Sequence, residues 1–129
     1  MRGVRLTDLQ GVHVLVIDDD VHARHFLRSV LELWGAIVTA TSAVDAIRVA
    51  LIADVIVCDL ASAEAAAGEF LERLRHMHVR LGRRVPAVAL VPASASGSTR
   101  VRAPGFQRYP TKPVDSDELP TAVLELAHC

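Results

Sequence analysis

The chain has few cysteines, few aromatic residues and almost no net charge. Its 129 residues include only two cysteines, Cys58 and Cys129, which form neither a disulfide framework nor a metal-binding motif. Aromatic residues make up 4% of the chain and the formal net charge is −1, so nothing general attracts nucleic acid or an anionic membrane. No apolar run approaches the roughly 18 residues of a membrane span, and no apolar signal core follows the N-terminus. These absences predict a cytoplasmic protein that binds neither nucleic acid nor membrane.

Hydrophobic residues, by contrast, make up 51% of the chain, which is typical of a globular protein with a substantial core. The length suits one domain, which we place over residues 1–129, with a lead-in of residues 1–10 and a core over about residues 12–127. Apolar runs typical of buried strands alternate with helical spacing five times. This alternation predicts an α/β fold, a doubly wound five-stranded parallel sheet with helices on both faces. The predicted strands are Val14–Ile17, Ala36–Ala40, Val55–Cys58, Ala87–Val91 and Phe106–Thr111.

Apolar residues at helical spacing predict the helices between these strands. Ser42 can cap the second helix, and the third is expected between Phe70 and Leu81. The stretch from Pro92 to Gly105 holds almost no large apolar residue, so the fourth helix is expected to be short or irregular. The residues of the first helix expected to face the core are Phe26, Leu27, Val30, Leu31 and Trp34. In the closing helix they are Leu119, Val123 and Leu126.

Three adjacent carboxylates, Asp18, Asp19 and Asp20, directly follow the first predicted strand. In a doubly wound sheet the carboxyl ends of the strands are where ligands bind. Like charges this close repel one another unless a cation neutralises them, and oxygen ligands suit Mg²⁺ or Mn²⁺. The alternative is that the acids cap the following helix, whose first turn favours negative charge. For three acids in a row we favour the cation site.

Two further charged residues lie at the ends of later strands. Asp59 follows the third predicted strand and Lys112 follows the fifth. Because the carboxyl ends of parallel strands meet at one edge of a sheet, these two side chains are expected to converge with Asp18 and Asp19. Such a set suits phosphoryl transfer onto a carboxylate, with a metal bridging the acids and a lysine neutralising the phosphoryl oxygens. Taken alone, Lys112 would be interpreted as an exposed surface lysine.

These residues resemble those of a known family, the receiver domains of two-component response regulators and hybrid sensor histidine kinases. The resemblance covers nearly everything from about residue 12 to residue 126 and implies the flavodoxin-like form of the predicted fold. It depends on the order and spacing of several segments, since each alone is weakly specific. These segments are Val14–Asp20, Asp54–Leu60, Pro86–Leu90, Gly105–Gln107 and Lys112–Asp115.

The resemblance implies a role for each matching residue. Asp59 would be the nucleophile that accepts a phosphoryl group from a phosphohistidine, and Lys112 would pair with Asp59 and then with the phosphoryl oxygens. Mg²⁺ would be bound directly by Asp19 and Asp59, by Asp18 through water, and by the backbone carbonyl of Ala61. Tyr109 matches the aromatic residue that swings inward on activation, and Asp20 has no ligand role. By this resemblance the phosphoacceptor would be Asp59 and the neutralising cation Lys112, the metal ligands would be Asp18, Asp19, Asp59 and Ala61, and the switch residues would be Val91 and Tyr109.

The sequence departs from the family pattern where activation is usually coupled to the rest of the domain. The family has Ser or Thr at the end of the fourth strand, where this chain has Val91, or Pro92 if the register slips by one. Neither side chain can donate a hydrogen bond to a phosphoryl group. The Met-Pro pair that usually follows the acceptor is also replaced, by Ala61-Ser62. The acceptor chemistry is therefore expected to be retained and the switching altered.

The leading hypothesis is thus a signalling module phosphorylated on Asp59 by a histidine kinase or a histidine phosphotransfer protein. Any enzymatic activity would be limited to self-phosphorylation and autodephosphorylation at Asp59, and a homodimer stays open. The alternative is a degenerate receiver that acts as a phosphorylation-independent interaction module. Residues 18–20 also fit the Asp-x-Asp motif of haloacid-dehalogenase-like phosphatases, but the chain has no room for a cap. His22 and His25 lack a third metal ligand nearby.

Overall fold

The structure is a computed structural model that describes residues 8–42, 52–59, 72–73, 75–76, 82, 84–91, 106–112 and 117–128. Within these residues the structure has four strands and two helices, in the order β-α-β-β-β-α. The strands are β1 (His13–Ile17), β2 (Ile37–Thr41), β3 (Val55–Asp59) and β4 (Ala87–Leu90), and the helices are α1 (Val21–Leu33) and α2 (Glu118–Ala127).

The four strands form one parallel sheet in the order β2-β1-β3-β4. Residues 106–112 continue the sheet beyond β4, through parallel bridges that pair Val88 with Arg108 and Val91 with Thr111. The amide of Val91 donates to the carbonyl of Pro110 over 2.9 Å, and the amide of Lys112 donates back to Val91 over 2.8 Å. The predicted parallel sheet is confirmed, with the fifth segment at the predicted place.

Both faces of the central strands are buried, as their unbroken apolar runs predict. On one face Val14 and Val57 pack under α1 and α2 within a single core cluster. On the other face Leu15 and Ile56 are each 0% exposed. A sheet covered on both sides presents its strand ends, rather than its faces, to ligands.

Helix α1 buries a narrower stripe than its sequence pattern predicts. Leu27, Leu31 and Trp34 lie in the core, but Phe26 is 59% exposed, so its predicted place in the core is wrong. Phe26 precedes Leu27 by about 100° around the helix, which moves it off the buried stripe and onto the outer flank. Apolar spacing alone could not distinguish this flank from the buried one.

Among the described residues the core extends to Leu9, three residues before its predicted start. Leu9 is 0% exposed, and its amide donates to the carbonyl of Trp34 over 3.0 Å. The close approach depends on Gly35, whose φ is +97° and whose missing Cβ would lie 3.1 Å from the amide nitrogen of Gln10. Gly35 and Ala36 bond back to the last turn of α1, to Glu32 and Leu31, in a Schellman arrangement. Gly35, which ends α1, therefore also allows the turn at Leu9 and Gln10 to pack against the end of this helix.

Several predicted helices lie wholly or largely outside the described residues. The second, after Ser42, and the fourth, over residues 92–105, are in this group, and of the third only residues 72–73 and 75–76 are described, as helix. The expectation of a short or irregular fourth helix therefore stays a prediction. In the closing helix, Leu119, Val123 and Leu126 are buried as predicted, and Pro120 lies in the first turn. None of the helices described is long and apolar enough to cross a membrane.

Candidate functional site

Three of the predicted site residues meet at the carboxyl edge of the sheet. β1 and β3 are neighbours whose last paired residues are Ile17 and Cys58, so Asp18 and Asp59 stand side by side at the strand ends. Asp18 is 0% exposed and Asp59 is 3% exposed, which makes them the buried charged residues of the described chain. Lys112 reaches this pair from the segment beside β4. The topology of a parallel sheet thus joins residues far apart in sequence.

Lys112 forms an ion pair with Asp59. Its ammonium Nζ donates to Oδ2 of Asp59, whose side chain is 4% exposed, whereas the lysine side chain is 35% exposed. The main chain of Lys112 is held by its amide bond to Val91 at the end of β4. Lys112 is also the only lysine among the 14 basic residues of the chain, and the other 13 are arginines. The ammonium group of lysine is compact and carries three N–H donors, which suits a narrow, half-buried site.

Asp18 lies against Asp59 and is hard to ionise. Burial, followed by the hydrogen bond with Asp59, raises the pKa of Asp18 from 3.8 to about 6. The negative charge of Asp59 acts in the same direction. The amide of Asp20, which donates to Oδ1 of Asp18 over 2.9 Å, and the charge of Lys112 oppose this rise. One ammonium therefore does not fully compensate the two buried carboxyl groups.

The other two acids of the sequence cluster differ from Asp18 and from each other. Asp20 caps α1, where its Oδ1 accepts from the amide of His22 over 3.0 Å, so the helix-cap interpretation holds for this residue. Asp19 is exposed, and its charge reaches the site. Burial, followed by the charges of Asp59, Asp18 and Asp19, raises the pKa of the Cys58 thiol to about 12. Cys58 is thus a neutral buried side chain.

The donor chemistry of the site fits Mg²⁺. Carboxylate oxygens surround it, and their negative charge exceeds the positive charge of Lys112. Within the described part of the chain, no three acidic, histidine or cysteine side chains form a complete metal cluster. Mg²⁺ needs few protein ligands because it keeps several of its waters. The remaining predicted ligand, the carbonyl of Ala61, lies outside the described residues.

Comparisons with known proteins bear on the fold that carries this site. No family model matches the chain. A curated relative, an uncharacterised 14.6 kDa protein of the sodA1 3′ region of Leptolyngbya boryana, is 39% identical over 116 residues, which are 86% of each chain. A response-regulator receiver domain from Francisella is 27% identical with a TM-score of 0.76, covering 92% of this chain and 98% of its own. The chain therefore resembles response-regulator receiver domains and shares their fold.

Two further solved structures share the fold. The receiver domain of a Pseudomonas aeruginosa sensor histidine kinase, with a magnesium ion coordinated in its active-site cleft, is 23% identical with a TM-score of 0.77, covering 92% of this chain and 99% of its own. The receiver domain of a Saccharomyces cerevisiae response regulator, crystallised with a histidine phosphotransfer protein, is 20% identical with a TM-score of 0.75, covering 93% of this chain and 91% of its own. Each of these alignments spans most of both chains, so the likeness in fold extends over most of this chain.

The two predicted switch residues lie on neighbouring segments of the sheet, Val91 at the end of β4 and Tyr109 in the segment that pairs with it. Val91, which is 3% exposed, extends β4 by one bridge and has an apolar side chain at the end of that strand. Tyr109 is half-buried, and its ring meets Phe106 edge to face with centroids 6.0 Å apart and planes at 75°. Tyr109 also lines a groove of about 670 Å³ beside α2. Main-chain hydrogen bonds therefore join β4 to the Tyr109 segment, and Val91 has no side-chain hydroxyl that could add to them.

One residue near the acids was missed by the sequence analysis. Arg24, in the first turn of α1, donates from Nη1 to the main-chain carbonyl of Asp18 over 2.7 Å. A basic residue one helical turn after an acidic cluster was the available signal, but nothing in the spacing indicates a main-chain target. His22 and His25, the alternative metal pair, are exposed on α1 and belong to no metal cluster in the described residues.

Proposed function

We propose that this receiver domain accepts a phosphoryl group on Asp59 from a histidine kinase or a histidine phosphotransfer protein in the cytoplasm, with Mg²⁺ or Mn²⁺ as cofactor. The observation that carries the proposal is the buried carboxylate of Asp59 at a strand end, paired with the only lysine of the chain and in contact with Asp18. This carboxylate lies at the edge of the sheet where ligands bind, beside an ammonium group that can neutralise the charge of an incoming phosphoryl group.

The chemistry assigns a step to each group. An oxygen of Asp59 attacks the phosphorus of the phosphohistidine, the P–N bond breaks, and the imidazole nitrogen keeps the electron pair and takes up a proton. The ammonium of Lys112 then neutralises the phosphoryl oxygens. Mg²⁺ held by Asp18, Asp19, Asp59 and the carbonyl of Ala61 would supply further positive charge. Its binding would favour the ionised form of Asp18, whereas burial favours the protonated form.

Labelling with beryllofluoride, a phosphoryl mimic, or acetyl phosphate tests this proposal. In the presence of Mg²⁺ we expect one adduct, located at Asp59 by peptide mapping and by ¹⁹F NMR. Asp59→Asn is expected to abolish labelling, because an amide oxygen is a far weaker nucleophile than a carboxylate. The control is Asp54→Asn, which changes an exposed acid that precedes the same strand. Labelling that persists in Asp59→Asn, or that is absent from the unchanged domain, would refute the proposal.

The alternative function is a degenerate receiver whose interactions do not depend on phosphorylation, and Val91 is the observation that favours it. Without a hydroxyl at this position, an adduct on Asp59 has no side-chain hydrogen bond with which to pull the end of β4. We therefore propose that phosphorylation occurs but is weakly transmitted to the segment of Phe106 and Tyr109. Retention of the Asp18, Asp59 and Lys112 geometry supports phosphorylation over the fully degenerate alternative.

Val91→Thr is expected to strengthen this transmission. The buried hydroxyl should lower stability by about 1–2 kcal/mol, while giving the adduct a donor. On beryllofluoride binding, NMR shift changes at Phe106 and Tyr109 should be small in the unchanged domain and clearly larger in Val91→Thr. The isosteric Val88→Thr, on the same strand but away from its carboxyl end, is the control for stability. Equally large changes in the unchanged domain would show that coupling does not need the hydroxyl.

A further inference from the structure

Arg24 joins helix α1 to the acidic turn through two separate hydrogen bonds. Its amide donates to the carbonyl of Asp20 over 3.0 Å, the first bond of the helix. Its guanidinium Nη1 donates to the carbonyl of Asp18 over 2.7 Å. One residue thus binds main-chain oxygens on both sides of Asp19.

The same turn is held from the strand side by further bonds. The amide of Asp18 donates to the carbonyl of Thr41 at the end of β2 over 3.1 Å, and the amide of Asp20 donates to Oδ1 of Asp18 over 2.9 Å. Asp19 lies between these two anchored residues, so the direction of its exposed carboxylate follows from their main-chain positions. The guanidinium of Arg24 closes the turn from the helix side.

We propose that Arg24 is a positioning residue that holds the turn of residues 18–20 in the conformation that presents its carboxylates to Mg²⁺. This inference rests on the proposed function, since it concerns the metal that phosphorylation would use. A hydrogen bond from a charged donor is stronger than one between neutral groups, and a guanidinium stays protonated at every working pH. Residues that orient metal ligands without touching the metal have large effects on metal affinity.

The charge of Arg24 acts in the opposite direction from its hydrogen bond. A nearby positive charge repels Mg²⁺, so removing it should raise affinity, whereas loss of the bond to Asp18 should lower affinity. Arg24 is half-buried and in contact with water, which together with salt weakens the charge effect. The hydrogen bond is short and is made to a main-chain oxygen of a buried residue, so water and salt weaken it less. Positioning therefore dominates.

The test is the Mg²⁺ affinity of Arg24→Met, measured by titration calorimetry in low and high KCl. Methionine keeps the apolar stem and removes the donor, and we expect binding about 10-fold weaker at both salt concentrations. The matched control is Arg28→Met, because Arg28 lies one turn later on α1 and donates from Nη2 to the carbonyl of Val38 over 3.2 Å. This control loses an arginine–carbonyl bond away from the site, so its Mg²⁺ affinity should not change. Urea unfolding of both variants separates affinity from stability.

The outcomes distinguish this inference from the proposed function. Mg²⁺ binding by the unchanged domain together with equal or tighter binding by Arg24→Met would overturn the inference and leave the proposed function standing. No Mg²⁺ binding by the unchanged domain would overturn both. Should Arg24→Met fail to fold, Arg24→Lys keeps the charge and shortens the reach to Asp18. In that variant, faster hydrogen exchange of the Asp20 amide with weaker Mg²⁺ binding supports positioning, and unchanged values contradict it.

Discussion

Lys112→Met is expected to destabilise the metal-free domain by about 2–3 kcal/mol and to slow labelling of Asp59 about 100-fold. The substitution leaves the 4% exposed carboxylate of Asp59 buried beside Asp18 without its cation. Breaking one half of a fully buried ion pair has a larger effect, but the lysine side chain is 35% exposed and water screens part of the interaction. Urea unfolding in EDTA and the rate of acetyl phosphate labelling measure the two effects.

The prediction has a control on the same segment and a variant that should restore stability. Arg108 pairs with Glu125 at 3.6 Å with both side chains largely exposed, so Arg108→Met should lower stability by no more than about 1 kcal/mol. In the double variant Lys112→Met with Asp59→Asn the uncompensated buried charge is gone, and most of the lost stability should return. A double variant no more stable than Lys112→Met alone would show that the ion pair is not the cause.

The sequence was sufficient to predict the sheet because its central strands are continuous apolar runs. Val14–Ile17 and Val55–Cys58 can only be buried on both faces, which requires a parallel sheet covered by helices. Once the strands are parallel, the acids that follow them must share an edge, and the structure brings Asp18 and Asp59 into contact there. Topology therefore carried the prediction from local pattern to a site joining distant residues.

The details that the sequence did not predict depend on packing and on main-chain geometry. Phe26 has the spacing of a core residue, yet only the position of α1 on the sheet decides which flank of the stripe is covered. The different environments of the three adjacent aspartates also depend on the main-chain turn between β1 and α1. Asp18 is buried, Asp19 is exposed and Asp20 caps the helix. Arg24 acts on a carbonyl oxygen, a group that every residue has and no motif can mark.

Asp18 connects the stability of the fold to the binding of a cation. In the metal-free domain its carboxyl is more easily protonated than in the unfolded chain, because burial and contact with Asp59 raise its pKa to about 6. A raised folded-state pKa means that the stabilisation from this group is complete below its unfolded value of 3.8 and is lost as the pH rises through 6. At neutral pH the ionised Asp18 therefore destabilises the metal-free domain, and a bound cation removes that penalty.

Asp18→Asn is consequently expected to stabilise the metal-free domain by roughly 1–3 kcal/mol above pH 7, and by progressively less towards pH 4. Asparagine resembles protonated Asp18, because its Oδ1 can still accept from the amide of Asp20 and its Nδ2 can donate to Asp59. Urea unfolding in EDTA at several pH values measures the difference. The control is Asp117→Asn, an exposed acid at the start of α2 without a side-chain cap bond, which should change stability little.

Saturating Mg²⁺ should reverse the order of stability between the two proteins. The unchanged domain gains stability from binding, whereas Asp18→Asn, with a neutral group beside the metal, should bind Mg²⁺ at least about 10-fold more weakly and gain less. The higher metal-free stability of Asp18→Asn and its weaker Mg²⁺ binding would then have one cause. The ionised carboxylate of Asp18 destabilises the metal-free domain and binds the cation. Two results would contradict this explanation: Asp18→Asn less stable than the unchanged domain at pH 7.5 in EDTA, or a difference in stability that does not vary with pH. Either result would show that the cation does not act by relieving repulsion between the carboxylates at this strand end.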